Sequence, residues 1–319
     1  MKKKFLTFAM VVFMALGLLS ITASADDTST VTITKTLTAR GLENTTFSFT
    51  VAEVGYTGSS MSAQPDIDDF TITVNKDSLT GTYTINLPTY TSVGVYTYLI
   101  EETTDDKIAG LTYTDAVLYL VVTVTDDGSG NLIRTAAVHQ DSISGTKNIT
   151  AFTNTYNDGD LAVKKLVTGN MGDKTKAFSV TVTFEKDSDT TVNSTISYTV
   201  GTDTYTIAPS DWGTGNTVTA TFNITNDMTV TFTNIPYNVS YAVKEADYSE
   251  YTTTYSGDGD NNGEGVLDSY SETVTITNNY EKGIDTGVIL DSLPYILILA
   301  VVLIGVVYLV LRRRTSDRY

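Results

Sequence analysis

An alternation of apolar and polar residues with period two runs through most of the chain, and it constrains the fold more than any other feature. Thr71 to Val74, Tyr96 to Ile100, Leu118 to Val124 and Val274 to Thr277 all carry it. Successive side chains of a strand point to opposite faces, so such runs bury one face and wet the other. Threonine, valine, isoleucine and tyrosine fill them, and these residue types suit a pleated, half-buried surface. Asp, Gly, Asn and Ser break the runs at short intervals, as between Thr125 and Asn131. Short alternating segments divided by turn residues predict an all-β sandwich, with no helix between the two terminal apolar segments.

The strand pattern occurs twice. Val31-Thr-Ile-Thr-Lys35-Thr-Leu37 opens one copy and Leu161-Ala-Val-Lys-Lys165-Leu-Val167 the other. A Phe-rich strand follows in each, Phe47 to Val51 and Phe178 to Val182. Later comes a Tyr-containing strand that ends in glutamate: Tyr96 to Glu102, then Tyr241 to Glu245. Each copy closes on a strand with asparagine, Phe152-Thr-Asn154-Thr-Tyr156 and Ile276-Thr-Asn278-Asn-Tyr280. The boundary falls at Asn157 to Asp160. The expected layout is a sandwich over 26–157, a second over 158–282, and an elongated tandem of the two.

Both ends carry targeting signals. Lys2-Lys3-Lys4, an apolar stretch from Phe5 to Ile21 and Ala23-Ser24-Ala25 read as a secretory signal peptide over 1–25. At the other end, the segment 283–319 holds Ile284-Asp285-Thr286-Gly287, an apolar run over 293–311 and Arg312-Arg313-Arg314. That run is long enough to cross a bilayer as a helix, with the arginines left on the cytoplasmic side. A short motif, one apolar span and a basic stub form the layout of a sortase sorting signal. In that layout a transpeptidase cuts between Thr286 and Gly287 and joins the exported chain to something outside the cell.

Composition narrows the function classes. The chain has no cysteine, so no disulfide can staple an exported domain. Residues 26–286 hold 35 acidic and 13 basic side chains, a net charge of −22, which argues against nucleic-acid binding and fits a solvated exterior surface. Five prolines are too few for a Pro-rich stalk.

By alternation, Lys35 shares a face with Val31, Ile33 and Leu37; Glu102 with Tyr96, Tyr98 and Ile100; Asn154 with Phe152 and Tyr156. In the second copy Lys165 lies with Leu161, Val163 and Val167, Glu245 with Tyr241 and Val243, and Asn278 with Val274, Ile276 and Tyr280. Each copy therefore aims a lysine, an acid and an amide at its own core. Unpaired burial of such groups costs several kcal/mol, so they are expected to meet. Glu101, Lys164 and Asn279 fall on the opposite faces. Burial lowers a lysine pKa and raises that of a carboxylic acid. A neutral amine is nucleophilic, and a protonated carboxyl can hydrogen-bond the asparagine carbonyl and relay protons. Attack on the amide would expel ammonia and leave a Lys–Asn isopeptide bond between the first and last strands.

In these motifs, taken in order and twice between a signal peptide and a sorting tail, the chain resembles the two-domain major pilins of Gram-positive bacteria. These are the FctA-like backbone pilins with Ig-like, Cna B-type folds. The resemblance implies isopeptide bonds from Lys35 to Asn154 and from Lys165 to Asn278, formed with Glu102 and Glu245 as catalytic acids. It also implies an exposed lysine just before the closing strand of the first domain. Lys147, in Ser144-Gly-Thr-Lys147, occupies that place. A sortase cysteine would attack Thr286, release Gly287 onward, and pass the acyl group to Lys147 of the next subunit. Asp285 stands where such sorting motifs usually carry proline. The implied partners are a pilus or housekeeping sortase, identical subunits, accessory pilins and a host receptor; no cofactor or metal is implied, and the membrane is met only through the C-terminal helix before cleavage. The alternatives are a singly wall-anchored adhesin built from the same domains, for which Lys147 is dispensable, and a secreted enzyme.

Three further features are read as structural. Asp258-Gly-Asp-Asn-Asn-Gly263 begins like a calcium loop, but Ser269 occupies its twelfth position, so it reads as an acidic hairpin loop. His139, the single histidine, is expected on a strand surface. Trp212 is expected to pack.

Overall fold

The computed structural model describes residues 27–58, 64–103, 107–283 and 287–316. The expected signal peptide and Ile284 to Thr286 lie outside the described residues.

The alternating runs form strands throughout. The first domain contains β1 (Thr30–Leu37), β2 (Thr45–Thr57), β3 (Phe70–Val74), β4 (Thr80–Asn86), β5 (Gly94–Glu102), β6 (Leu111–Thr112), β7 (Leu118–Asp126), β8 (Leu132–Gln140) and β9 (Ala151–Tyr156). They make two sheets, ordered β4-β1-β9-β6 and β3-β2-β5-β7-β8. The inward faces, including Ile33, Phe152, Phe49, Tyr98, Ile100 and Leu120, pack into one core. Full burial of an aliphatic or aromatic side chain of this kind contributes about 1.5–3 kcal/mol.

The second domain contains β10 (Asp158–Thr168), β11 (Phe178–Glu185), β12 (Ile196–Val200), β13 (Asp203–Ile207), β14 (Thr217–Ile224), β15 (Thr229–Pro236), β16 (Ser240–Glu245), β17 (Thr252–Gly257), β18 (Glu264–Val266) and β19 (Ser271–Asn279). Its sheets are ordered β13-β12-β15-β10-β19-β17 and β14-β11-β16-β18, around a separate core. A single 3-10 turn, Pro209–Trp212, interrupts the strands and buries Trp212 in that core.

In both domains the opening strand lies parallel to the closing strand. β1 pairs with β9 so that Lys35 is opposite Phe152 and Leu37 opposite Asn154. β10 pairs with β19 so that Lys165 is opposite Ile276 and Val167 opposite Asn278. Each lysine is thus matched to the residue two before the asparagine. Both side chains project from the same face of neighbouring strands, toward the facing sheet.

The domains meet through backbone pairing as well as side chains. Glu43 N–H donates to Asn193 O at 2.8 Å, Ala109 N–H to Thr191 O at 2.9 Å and Thr191 N–H to Lys107 O at 2.8 Å. Asn234 adds an Nδ2 bond to Gly41 O at 2.9 Å.

After β19 the chain enters α1 (Gly287–Ser316). Pro294–Arg313 has a mean hydropathy of 2.8 and is long and apolar enough to cross a membrane; 20 residues of helix reach about 30 Å.

Candidate functional site in each domain core

The side chains at 35, 102 and 154 meet inside the first core. β1 and β9 deliver the lysine and the amide from one sheet, and the end of β5 delivers the acid from the other. Lys35 Nζ donates to Glu102 Oε2 at 2.8 Å, with the two side chains 0% and 1% exposed. Asn154 Nδ2 donates to the other carboxylate oxygen, Oε1, at 2.9 Å. One carboxylate therefore bridges amine and amide. Burial pushes the Lys35 ammonium down to about 8, against the upward pull of the Glu102 charge and hydrogen bond.

The second core repeats the arrangement. Lys165 Nζ lies 2.6 Å from Glu245 Oε2, with side chains 0% and 1% exposed. The two are close enough for an ion pair but out of line for a hydrogen bond. Asn278 Nδ2 donates to Glu245 Oε1 at 2.5 Å. Burial lowers the Lys165 pKa as well, opposed by the adjacent Glu245 carboxylate.

Two elements of the site had no individual signature in the chain. The first is an aromatic wall. Lys35 Nζ lies 4.7 Å from the centre of the Phe47 ring, and Lys165 Nζ 4.3 Å from that of Phe178. Phe49 is paired opposite Glu102 and Val180 opposite Glu245, so each ring stands two residues before the position facing the acid. The Phe-rich strand signalled the repeat; only the register turns it into a wall of the site. The second is a backbone donor: Thr114 N–H points at Asn154 Oδ1 from 3.0 Å. The carboxylate was expected to hydrogen-bond the asparagine carbonyl. In this geometry it accepts from the amide nitrogen, since a carboxylate offers only acceptors, while Thr114 N–H takes the carbonyl oxygen of Asn154.

The discounted neighbours do point away. Glu101 and Lys164 are exposed, and Asn279 Oδ1 accepts from Thr168 Oγ1 at 3.0 Å. The second domain holds another buried acid, which no motif in the sequence marks. Glu272, 5% exposed, takes Tyr241 O–H at 2.7 Å on Oε2, and Asp268 N–H and Ser269 O–H on Oε1. These bonds tie down the 268–270 turn.

Lys147 is exposed between β8 and β9. The excursion that carries it is clipped to β8 by Gln140 N–H to Thr146 O at 3.1 Å and Asn148 N–H to Val138 O at 2.8 Å. It folds over His139, which is 5% exposed rather than on the surface, with Nδ1 3.2 Å from Gly145 O. Gly287 begins α1, and Thr286 lies outside the described residues.

The acidic segment at 258–263 is not a hairpin loop. It carries the chain from β17 in one sheet to β18 in the other. Its acids serve the backbone: Asp260 Oδ1 accepts from Asn262 N–H at 2.9 Å and Glu264 N–H at 3.0 Å, and Asp258 Oδ2 from Thr273 N–H at 2.7 Å.

Comparison with known proteins matches the two halves separately. Residues 31–157 match the family described as a Spy0128-like isopeptide containing domain, and residues 159–280 a family described as a domain of unknown function. A protein named pilin from Streptococcus pyogenes serotype M1 is 25% identical over 247 residues, which cover 70% of this chain and 69% of that protein. The crystal structure of the major pilin from Streptococcus pyogenes superposes with a TM-score of 0.54 at 21% identity, covering 80% of this chain and 99% of that one. The major pilin T3.2 from the same species gives 0.56 at 19% identity, with 80% and 99% covered.

Proposed function

We propose that this chain, whose first domain matches the Spy0128-like isopeptide containing family and which is similar to a streptococcal pilin, is the backbone subunit of a covalently polymerised cell-surface pilus and that each domain closes its own Lys–Asn cross-link. The observation that carries this reading is the recurrence, in two separate cores, of one carboxylate bridging a buried amine and a buried amide.

The chemistry follows from the contacts. Transfer of the ammonium proton to Glu102 leaves Lys35 Nζ with a free electron pair, and the apolar surroundings favour that neutral pair. The nitrogen attacks Cγ of Asn154. The Glu102 carboxyl gives its proton to Nδ2 from Oε1 and takes the next one from Nζ on Oε2. The Nζ–Cγ bond forms, the Cγ–Nδ2 bond breaks, and the leaving ammonia takes the remaining proton from the acid and departs as ammonium. The carboxylate is thereby restored, so the acid acts as a catalyst of a single turnover on its own chain. Lys165, Glu245 and Asn278 do the same in the second domain. No cofactor enters either step. The bonds tie first strand to last, as a disulfide would in an exported chain that has cysteine.

Polymer growth uses different residues. A sortase cysteine attacks the carbonyl of Thr286 and releases Gly287 and the apolar helix. The Lys147 amine of another subunit then captures the acyl group. An exposed lysine on an excursion clipped to β8 supports this assignment. Before cleavage the helix holds the chain in the membrane; afterwards the polymer stands on the cell wall, with accessory pilins added by the same chemistry.

The test is an immunoblot of wall extracts boiled in SDS, with wild type beside Lys147→Ala. A high-mass ladder that collapses in the variant is expected. A single band in wild type would overturn the backbone reading in favour of a monomeric wall-anchored adhesin, and a ladder that persists in the variant would move the linkage to another lysine.

A further inference from the structure

We propose that the two cross-linking sites are not equivalent: the backbone N–H of Thr114 is an oxyanion donor for the first, and the second has none. This rests on the condensation reading above and concerns how the same bond is made in each domain.

Attack on an amide carbon drives negative charge onto the carbonyl oxygen, and a donor fixed at that oxygen stabilises the tetrahedral intermediate. In the first domain Thr114 N–H lies 3.0 Å from Asn154 Oδ1. A backbone amide can only donate, so it also fixes which way the asparagine side chain faces. Oδ1 must turn to Thr114, and Nδ2, the leaving group, must turn to Glu102, where it donates at 2.9 Å. Carbonyl and leaving group are thereby sorted before reaction. In the second domain Asn278 Nδ2 meets Glu245 in the same way, but Asn278 Oδ1 is buried with no hydrogen-bond partner.

The difference has a cause in the sheets. The strand flanking β9 is β6, two residues long, paired as Leu111 with Tyr156 and Thr112 with Thr155. The ladder stops there, one position short of Asn154. The chain then bends through a turn in which Thr114 Oγ1 accepts from Ala116 N–H at 3.1 Å. Freed from the ladder, the N–H of Thr114 reaches the asparagine side chain. The strand flanking β19 is β17, six residues long, with Thr253 opposite Asn278 and Thr254 opposite Thr277. That ladder runs on past the asparagine, and its backbone groups pair with backbone. A broken edge strand creates the donor in one domain, and a complete one removes it in the other.

The first cross-link is therefore expected to close before the second. The experiment follows both bonds in the full exported segment, residues 26–286, made by pulse-labelled cell-free synthesis and quenched at intervals. Digestion and mass spectrometry quantify the peptide pair joined at Lys35–Asn154 and the pair joined at Lys165–Asn278. Thr114→Pro removes the N–H, and Thr114→Ser keeps both it and the hydroxyl of the turn. The proline variant should slow the first bond on the order of 10²-fold, the usual effect of losing one oxyanion donor, with the second bond unchanged. The serine variant should stay within a few-fold of wild type. Should proline disturb the loop, the order of the two bonds in the unaltered chain decides the matter alone. A second bond that forms as early as the first, or a proline variant that closes the first at the wild-type rate, overturns this proposal and leaves the condensation standing. Absence of both pairs from wild type overturns the condensation and this proposal with it.

Discussion

Replacing Asn154 with alanine removes the acyl partner of the proposed first cross-link but leaves Lys35 paired with Glu102. The variant therefore isolates the bond itself. Residues 35 and 154 enclose a loop of about 120 residues, and the chain-entropy relation for a cross-link gives about 5 kcal/mol for a loop of that length. In a domain of some 125 residues, a change of 1 kcal/mol moves the midpoint by roughly 3–4 °C. The first domain should then melt roughly 15–20 °C lower, while the second keeps its midpoint. Glu102→Ala should be worse. It also prevents the bond, and it leaves the Lys35 ammonium buried without a partner, which costs a further 3–5 kcal/mol or so. Differential scanning calorimetry of residues 26–286 reads the midpoints, and the intact mass of the same samples reads the bond. A first-domain midpoint within about 5 °C of wild type in Asn154→Ala, with the mass showing one cross-link lost, would refute the entropic reasoning. An unchanged mass would refute the residue assignment.

Two further predictions concern pH and force. In the uncross-linked Asn154→Ala variant, the folded pKa of Lys35 is about 8 against an ordinary 10.5, so between those values the unfolded chain holds the extra proton. Stability should therefore rise with pH across that window, by about 2 kcal/mol between pH 7 and 9.5, measured by urea melts; a flat or falling profile would contradict it. When the protein is pulled from Lys147 and the C-terminal end of β19, the Lys165–Asn278 bond should carry the load past the second domain. Asn278→Ala should add an unfolding event with a length gain of roughly 390 Å, the reach of the 113 residues between them; a wild type that already shows this extension would rule the bond out.

Much of the architecture could be read from the chain because alternation reports burial directly. Lys35, Asn154, Lys165 and Asn278, each 0% exposed, were placed inward by parity with their apolar neighbours. Parity says nothing about what lies across the core, so the bridging of amine and amide by one carboxylate emerged only from the facing sheets. The Thr114 donor left no trace because a backbone N–H belongs to every residue but proline. What singles it out is the point at which a neighbouring ladder ends. His139 departs from the alternation for a related reason. Alternation puts it on the outer face of β8, and the 141–147 excursion then folds over that face and buries it. The acidic segment at 258–263 has the turn residues of a hairpin, but the strands on either side belong to different sheets.

The measurement that bears most directly on the central claim is the intact mass of recombinant residues 26–286 under denaturing conditions, with fragmentation across the joined peptides. Two autocatalytic condensations predict a mass lower than the calculated chain by two ammonia molecules, localised to Lys35 with Asn154 and Lys165 with Asn278, and lower by only one in Glu102→Ala or Glu245→Ala. A wild-type chain at its full calculated mass would contradict the account, and leave the two buried triads as ion pairs with hydrogen-bonded amides.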